Sequence, residues 1–388
     1  MSLAPHSRPA AGFTLSWGDV TGQKNHLAHR PALARSRGDT VMTRQQTPWG
    51  GTFLREFLPG LRHFPPDLCA GEVWELSLAT DKPSFAHDGR ALCDWARNVS
   101  RAPAPSLLLK WIDSADWLSL QVHPVEPAKG VGKVECWYVV RAERNATLYA
   151  GVRPGLSRHD FKTALQQGRV TECLKAFRPQ VGDVFLIDAG TPHALGPGLS
   201  VLELQRTAPG DAGTTLRFWD WNRRYGRDGL PSHSGNARPL HLEAALAATR
   251  WHARAALHAR LPHAKLSSTY ATLDVLIACA SGDGNGTCAA RHAQVSADAI
   301  AETNYRPLHH RDLTLACARG TGSVRWMPTW PWSSLTVVRG SVTLAGVEGD
   351  PALNRGQSAL LYAEQEVTLE LDSAEVVLGS TAPAKMNS

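Results

Sequence analysis

The chain has 388 residues, 43% of them hydrophobic and 20% charged, which is enough apolar material for two or three packed domains. No apolar run approaches the roughly 20 residues that a bilayer-spanning helix needs, so a membrane partner is not expected. The formal charge of +6 gives little support to a nucleic-acid partner, because residues 1–45 hold six basic residues against two acidic ones, a net +4.

In chain order, residues 1–45 are rich in Arg, Ser, Ala and His and lack sustained periodicity. They read as a disordered or non-native N-terminal extension, with Met42 just before the first segment of structured texture. From Pro48-Trp49-Gly50-Gly51 onward the texture changes. Strands are expected at Gly71–Leu78 and Leu107–Ile112, followed by a polar-faced strand at Leu118–Pro124 and another at Leu148–Val152. Ser157 with Asp160 three residues later resembles a capping box and opens a helix that Gly168 ends. A second short helix is expected from Thr171 to Phe177. Strands then follow at Val184–Ile187, Leu199–Leu204 and Thr214–Trp221. Residues 222–238 read as a loop, and Leu240–Thr249 as the helix that closes the first unit.

Beyond residue 250 the pattern is a second series of short strands with Gly turns. Its clearest piece, Ser334–Leu344, reads as strand–turn–strand on Arg339-Gly340-Ser341. The expected fold is therefore mostly β: two jelly-roll β-barrel domains with a few short helices, the first over 46–250 and the second over 251–388. The seven cysteines are odd in number, scattered and without C-x-x-C, which fits reduced thiols and a cytoplasmic location.

The chemistry-bearing residues fall on three strand-linked segments. In Leu118-Ser119-Leu120-Gln121-Val122-His123, alternate side chains share a face, so Ser119, Gln121 and His123 point together. Lys133 and Glu135 share a face of the strand that begins twelve residues beyond His123, while Cys136 points the other way. Gly182-Asp183-Val184-Phe185-Leu186-Ile187 leads through Gly190 to His193. Each of these residues alone is ordinary on a sheet surface or in a turn. Together they offer two imidazoles, one carboxylate and one amide oxygen, a set suited to a borderline metal, zinc above all. A neutral Gln ligand leaves a divalent ion with net charge +1, which favours polarising a substrate oxygen over holding structure. His241 and the pair His309-His310 have no partner at ligand spacing and read as solvent or loop residues. No P-loop, dinucleotide-binding glycine pattern, Gly-x-Ser-x-Gly or zinc-finger spacing is present.

Gly182, Gly190 and His193 follow the second motif of the cupins. Gln121, His123 and Glu135 resemble the first cupin motif with its first His replaced by Gln. That replacement, with Trp49-Gly50-Gly51, Gly71-Glu72-Val73-Trp74, Glu135-Cys136-Trp137-Tyr138 and Thr214-Thr215-Leu216-Arg217, resembles the class I mannose-6-phosphate isomerases. The resemblance covers roughly residues 46–245; beyond 255 it is one of strand texture alone.

It implies two cupin-like domains, the first catalytic. It also implies a zinc-dependent aldose–ketose isomerase that interconverts mannose 6-phosphate and fructose 6-phosphate through an enediol. By the same resemblance Gln121, His123, Glu135 and His193 are zinc ligands, Arg217 is a catalytic arginine, and Ser119 and Lys133 match polar active-site positions. Lys133, Glu203 and metal-bound water are candidate bases, with Ser119 a candidate substrate contact. The expected partner is a small sugar phosphate and the expected assembly a monomer or small homo-oligomer. The alternatives are a metal cupin that senses sugar phosphates without turnover, or one of another reaction type such as a dioxygenase. Two departures from the family's pattern stand out. Asp188 sits where the second motif favours Pro, and Ala208-Pro209-Gly210-Asp211-Ala212 looks like an insertion ahead of Arg217.

Overall fold

A computed structural model describes residues 31–37, 40–43, 47–65, 67, 69–99, 106–126, 131–208, 210–251, 256–260, 271–278 and 308–382. The structure is mostly β, as expected. Two antiparallel sheets build the first half. One has seven strands, in the order Leu257–Arg260, Asp183–Ile187, Val134–Ala142, Leu199–Arg206, Leu107–Ser114, Ala70–Ser77 and Thr40–Thr43. The other has five: Leu174–Phe177, Leu148–Val152, His193–Leu195, Leu120–Val122 and Leu216–Trp219.

Strand alternation decides what lies on each side. On Val134–Ala142, Trp137 and Val139 join Leu148, Ala150, Leu195 and Val201 in a core between the two sheets. The alternate residues Val134, Cys136 and Tyr138 turn to the other face and pack with Leu204 of the same sheet and with Leu315, Cys317 and Val377 of the C-terminal half. The outer face of the five-stranded sheet is covered by the helices Arg158–Gln166 and Leu242–Ala248, through Phe161, Ala164, Ala245 and Leu246. The expected capping box at Ser157 and Asp160 is present in both directions.

The C-terminal half is one sheet with Ala32–Arg35, Ser358–Tyr362, Trp332–Ala345, Val367–Thr381, Leu313–Trp326, Ala271–Ala278 and Leu308–His309 in that order, and Ala352–Asn354 added beside Trp332–Ala345.

Several expectations need correction. Residues 32–35 and 40–43, read as part of a disordered or non-native extension, are strands: Ala32 pairs with Tyr362, and Val41 with Val73. Short strands at a sheet's edge are held by backbone bonds and need no long periodic pattern. Residues 1–30 lie outside the described part. The boundary at 250 is crossed in both directions, since Ala32–Arg35 joins the C-terminal sheet and Leu257–Arg260 pairs with Asp183–Ile187 of the first half. The second helix is one 3-10 turn, Val170–Cys173, followed by a strand whose Phe177 pairs with Leu148. The Arg339-Gly340-Ser341 turn is a bulge within one long strand, because both of its arms pair with the same partner, Val367–Thr381. Gly340 has φ of +66°, and its Cα lies so close to the Asp372 and Ser373 carbonyls that a side chain there would collide with them.

Candidate metal centre

The expected polar residues converge between the two sheets of the first half. His193, on the five-stranded sheet, is directly opposite Gln121, and Gln121 is directly opposite Arg217. Cross-strand neighbours point to the same face, so His193, Gln121 and Arg217 form one row. The strand that follows the insertion thus pairs Arg217 with Gln121, with a register shift between Arg217 and Trp219. The seven-stranded sheet brings Lys133 and Glu135 from the other side. One ligand atom from each of His123, Glu135 and His193 lies within 4.8 Å of the others, and all three residues are buried.

Hydrogen bonds fix the ring orientations. His123 Nδ1 donates to the Thr214 carbonyl at 2.9 Å, and His193 Nδ1 donates to the Thr191 carbonyl at 2.8 Å. Both Nε2 lone pairs are then free to face inward. His123 Nε2 is 2.9 Å from Glu135 Oε1, and His193 Nε2 is 3.5 Å from Glu135 Oε2. Burial lowers the His123 pKa, with the Lys133 charge adding, and burial takes His193 down to about 4. Burial alone would raise Glu135, but His123 and Lys133 hold it well below the usual carboxylate range.

At neutral pH two neutral imidazoles thus aim lone pairs at a carboxylate, an arrangement that needs a cation among them. His123 Nε2 and Glu135 Oε2 are moreover buried without a hydrogen-bond partner. The donor set fits a divalent metal. Gln121 lies beside it, its Nε2 3.3 Å from His193 Nε2 and its Oε1 accepting the Ser119 hydroxyl at 3.1 Å. Coordination through Oε1 requires the amide to turn over.

Lys133 Nζ reaches Glu135 Oε1 at 3.1 Å. Glu203 stands one step back. Gln205 Nε2 donates both to Glu135 Oε1, at 3.0 Å, and to Glu203 Oε2, while Trp137 Nε1 donates to Glu203 Oε1 at 2.8 Å. Burial, with the Glu135 charge, pushes Glu203 up to about 8. Arg217 Nε is buried and has no hydrogen-bond partner. Burial and the Arg238 charge lower its pKa, but a guanidinium keeps its charge.

Sequence reading missed the support behind these residues. Lys110, buried between Glu72 at 3.4 Å and Glu203 at 3.8 Å, lies opposite Glu203 in the sheet, as Gln205 lies opposite Glu135. Lys110 lay on a predicted strand, whereas Gln205 fell one residue beyond the predicted Leu199–Leu204, on the same face as Glu203. Their partners depend on register, which a sequence does not display. Two of the discounted histidines find partners: His310 Nε2 donates to Asp188 Oδ1 at 2.8 Å, and His241 Nδ1 accepts the Arg217 backbone N–H at 3.2 Å, while the side chain of His309 lies outside the described part.

No family model matches the chain. A mannose-6-phosphate isomerase of Streptococcus mutans serotype c is 30% identical over 210 residues, which is 50% of this chain and 62% of that relative. The chain thus matches less than two thirds of the curated relative's length. The mannose 6-phosphate isomerase structure from Bacillus subtilis superposes with a TM-score of 0.62 at 21% identity, over 90% of this chain and 99% of that one. A mannose 6-phosphate isomerase bound with zinc and yttrium gives a TM-score of 0.56 at 13% identity, over 92% of this chain and all of the other. No described helix is long and apolar enough to cross a membrane. In its motifs, in the sequence of half its length and in its fold, the chain resembles the class I mannose-6-phosphate isomerases of the cupin superfamily.

Proposed function

We propose that this chain is a zinc-dependent isomerase that interconverts mannose 6-phosphate and fructose 6-phosphate, with the catalytic unit in the first half and the C-terminal sheet as its support. The observation that carries the reading is the convergence of His123, Glu135, His193 and Gln121 from two facing sheets, with Arg217 in the same row and Lys133 against the carboxylate. Relatives named for this reaction, and a similar fold bound with zinc, support it.

The difficulty of an aldose–ketose isomerisation is the weak acidity of a carbon next to a carbonyl. A zinc ion held by Gln121, His123, Glu135 and His193 would supply Lewis acidity toward the sugar oxygens, worth several kcal/mol. Arg217 offers a fixed positive charge to the oxyanion side of the enediol, and its unpartnered Nε leaves donor capacity for substrate. The proton must move between C1 and C2 on one face of the enediol. Lys133 touches the cluster's carboxylate directly, whereas Glu203 reaches it only through the Gln205 amide, so Lys133 is the better placed of the two. Glu203, with Lys110 and Trp137, holds Gln205 and through it Glu135. Ser119 donates its hydroxyl to Gln121 Oε1 and would accept from the Gln121 Nε2 group once the amide turned over to bind the ion.

The test is conversion of mannose 6-phosphate to fructose 6-phosphate before chelation, after it, and after zinc is restored. Activity lost with the chelator and regained with zinc is expected. A folded protein that turns over no substrate with any divalent metal would reject the proposal in favour of a sugar-phosphate sensor.

A further inference from the structure

The turn between the Leu199–Arg206 and Leu216–Trp219 strands, which holds the insertion at 208–212, touches the cluster twice just after that insertion. Gly213 has φ of +80° and lies so near the Lys133 stem that a Cβ there would come 2.7 Å from Lys133 Cδ. The next residue, Thr214, gives its carbonyl to His123 Nδ1. The shape of this turn is held from within and from outside. Asp211 Oδ1 accepts the Gly213 N–H at 2.7 Å, and the Asp211 N–H donates to the Ala208 carbonyl at 3.1 Å. Thr80, just beyond the Ala70–Ser77 strand, donates its N–H at 3.1 Å and its hydroxyl at 3.2 Å to the Gly210 carbonyl.

We infer that residues 211–214 are a clamp that positions His123 and Lys133 together, with Asp211 as its positioning residue. The inference rests on the reading of the cluster as a zinc site. The Asp211 carboxylate fixes the turn; the turn lays the Gly213 backbone along the Lys133 stem and aims the Thr214 carbonyl at His123. A ring that donates Nδ1–H to a fixed carbonyl keeps its Nε2 lone pair on the ion, and loss of such an outer partner costs about 10–100-fold in metal affinity. The Lys133 stem has four rotatable bonds, and a wall of backbone along it confines the ammonium to the Glu135 side.

Zinc affinity, measured by competition with a chromophoric chelator, tests the clamp without reference to turnover. Asp211→Ala removes the acceptor of the Gly213 N–H, whereas Asp211→Asn keeps one. The expected result is zinc binding about tenfold weaker in Asp211→Ala and within about twofold of the parent in Asp211→Asn, with the urea midpoint of the metal-free proteins unchanged. An Asp211→Ala protein that binds zinc like the parent, or an Asp211→Asn protein as weak as Asp211→Ala, overturns the inference. Should Asp211→Ala fail to fold, Gly213→Ala takes its place, with weaker zinc binding and kcat falling more than KM as the expected outcome; unchanged zinc affinity and kcat overturn it. A parent chain that takes up no zinc is recognised before any variant is made, and rejects the reading of the site and the clamp with it. Zinc uptake by the parent with no effect of either substitution rejects the clamp alone.

Discussion

The two halves of the molecule are built from the same material and differ in what they enclose. Between the sheets of the first half, the inward rows pass from Phe185, Trp137 and Val201 to Glu135, Glu203, Gln205, Gln121 and His193. In the C-terminal half Leu335, Val337, Val342, Leu344, Leu369, Leu371, Val376 and Leu378 pack together, and the polar residues buried on the same strands are the uncharged Ser333, Ser334, Thr336, Ser358, Ser380 and Thr381. Strand pairing tolerates either filling. The apolar interior is stable by burial alone. The polar interior is paired largely with itself; the buried atoms left over there are His123 Nε2, Glu135 Oε2, Gln205 Oε1 and Arg217 Nε, of which the first two are those that a cation would satisfy. The contrast teaches that a β framework is indifferent to chemistry, and that a few inward residues set one half apart as the candidate site.

This contrast can be broken or sharpened by substitution. The largest effect is expected from His123→Ala, which should lose bound zinc and isomerase activity together, by about 10³-fold in turnover if several kcal/mol of Lewis-acid help disappears. Metal content and a mannose 6-phosphate assay check it, and full activity with metal retained would contradict the site. Arg217→Ala should keep its zinc but turn over about 10²–10³-fold more slowly, the usual loss for one preorganised charge. Equal turnover in parent and variant would remove Arg217 from the mechanism.

In the apolar half the same kind of change should act on stability instead. Leu335 is fully buried, and Leu335→Ala should cost about 2–5 kcal/mol in denaturant unfolding while the zinc affinity of the folded protein stays put. A change in zinc affinity would show that the halves are coupled more tightly than their cores suggest.

The smallest expected effect concerns Asp183, a buried carboxylate at the outer edge of the first half. Arg260 donates to it at 2.6 and 2.9 Å, and His258 Nε2 lies 3.1 Å away. Burial alone would raise its pKa, but the hydrogen bonds from His258 and Arg260 hold it down to about 2. Because the folded value lies below the unfolded 3.8, the stabilisation is complete above about pH 4 and is lost as pH falls toward 2. Asp183→Asn should therefore cost about 2 kcal/mol at pH 7, with the gap to the parent closing over that acidic window. Urea midpoints that differ equally at pH 3 and pH 7 would rule the charge out as the cause.

Much of the site was legible because strand alternation is local: Gln121 with His123 and Lys133 with Glu135 need only a period of two to share a face. Gln205 and Lys110 were not, because their roles come from register across the seven-stranded sheet. The strand Leu174–Phe177 was mistaken for helix because four residues carry too little pattern to separate the two periods. Gly340 misled in another way. A glycine with positive φ serves a hairpin turn and a bulge equally well, and only the partner strand distinguishes them. Ala32–Arg35 was invisible for the simplest reason, since its partner lies more than three hundred residues away in the chain.

That last pairing has a consequence for biosynthesis. Residues 32–35 leave the ribosome among the first described residues and must wait until Ser358–Tyr362 has been translated before they can pair. Thr40–Thr43, made only moments later, can dock on Ala70–Ser77 almost at once. The first half can therefore start to assemble during synthesis, while the C-terminal sheet gains its Ala32–Arg35 edge only after Ser358–Tyr362 has been made. Ribosome stalling before residue 358 would leave the edge at Ala32–Arg35 open to other nascent chains, making this strand dependent on uninterrupted translation.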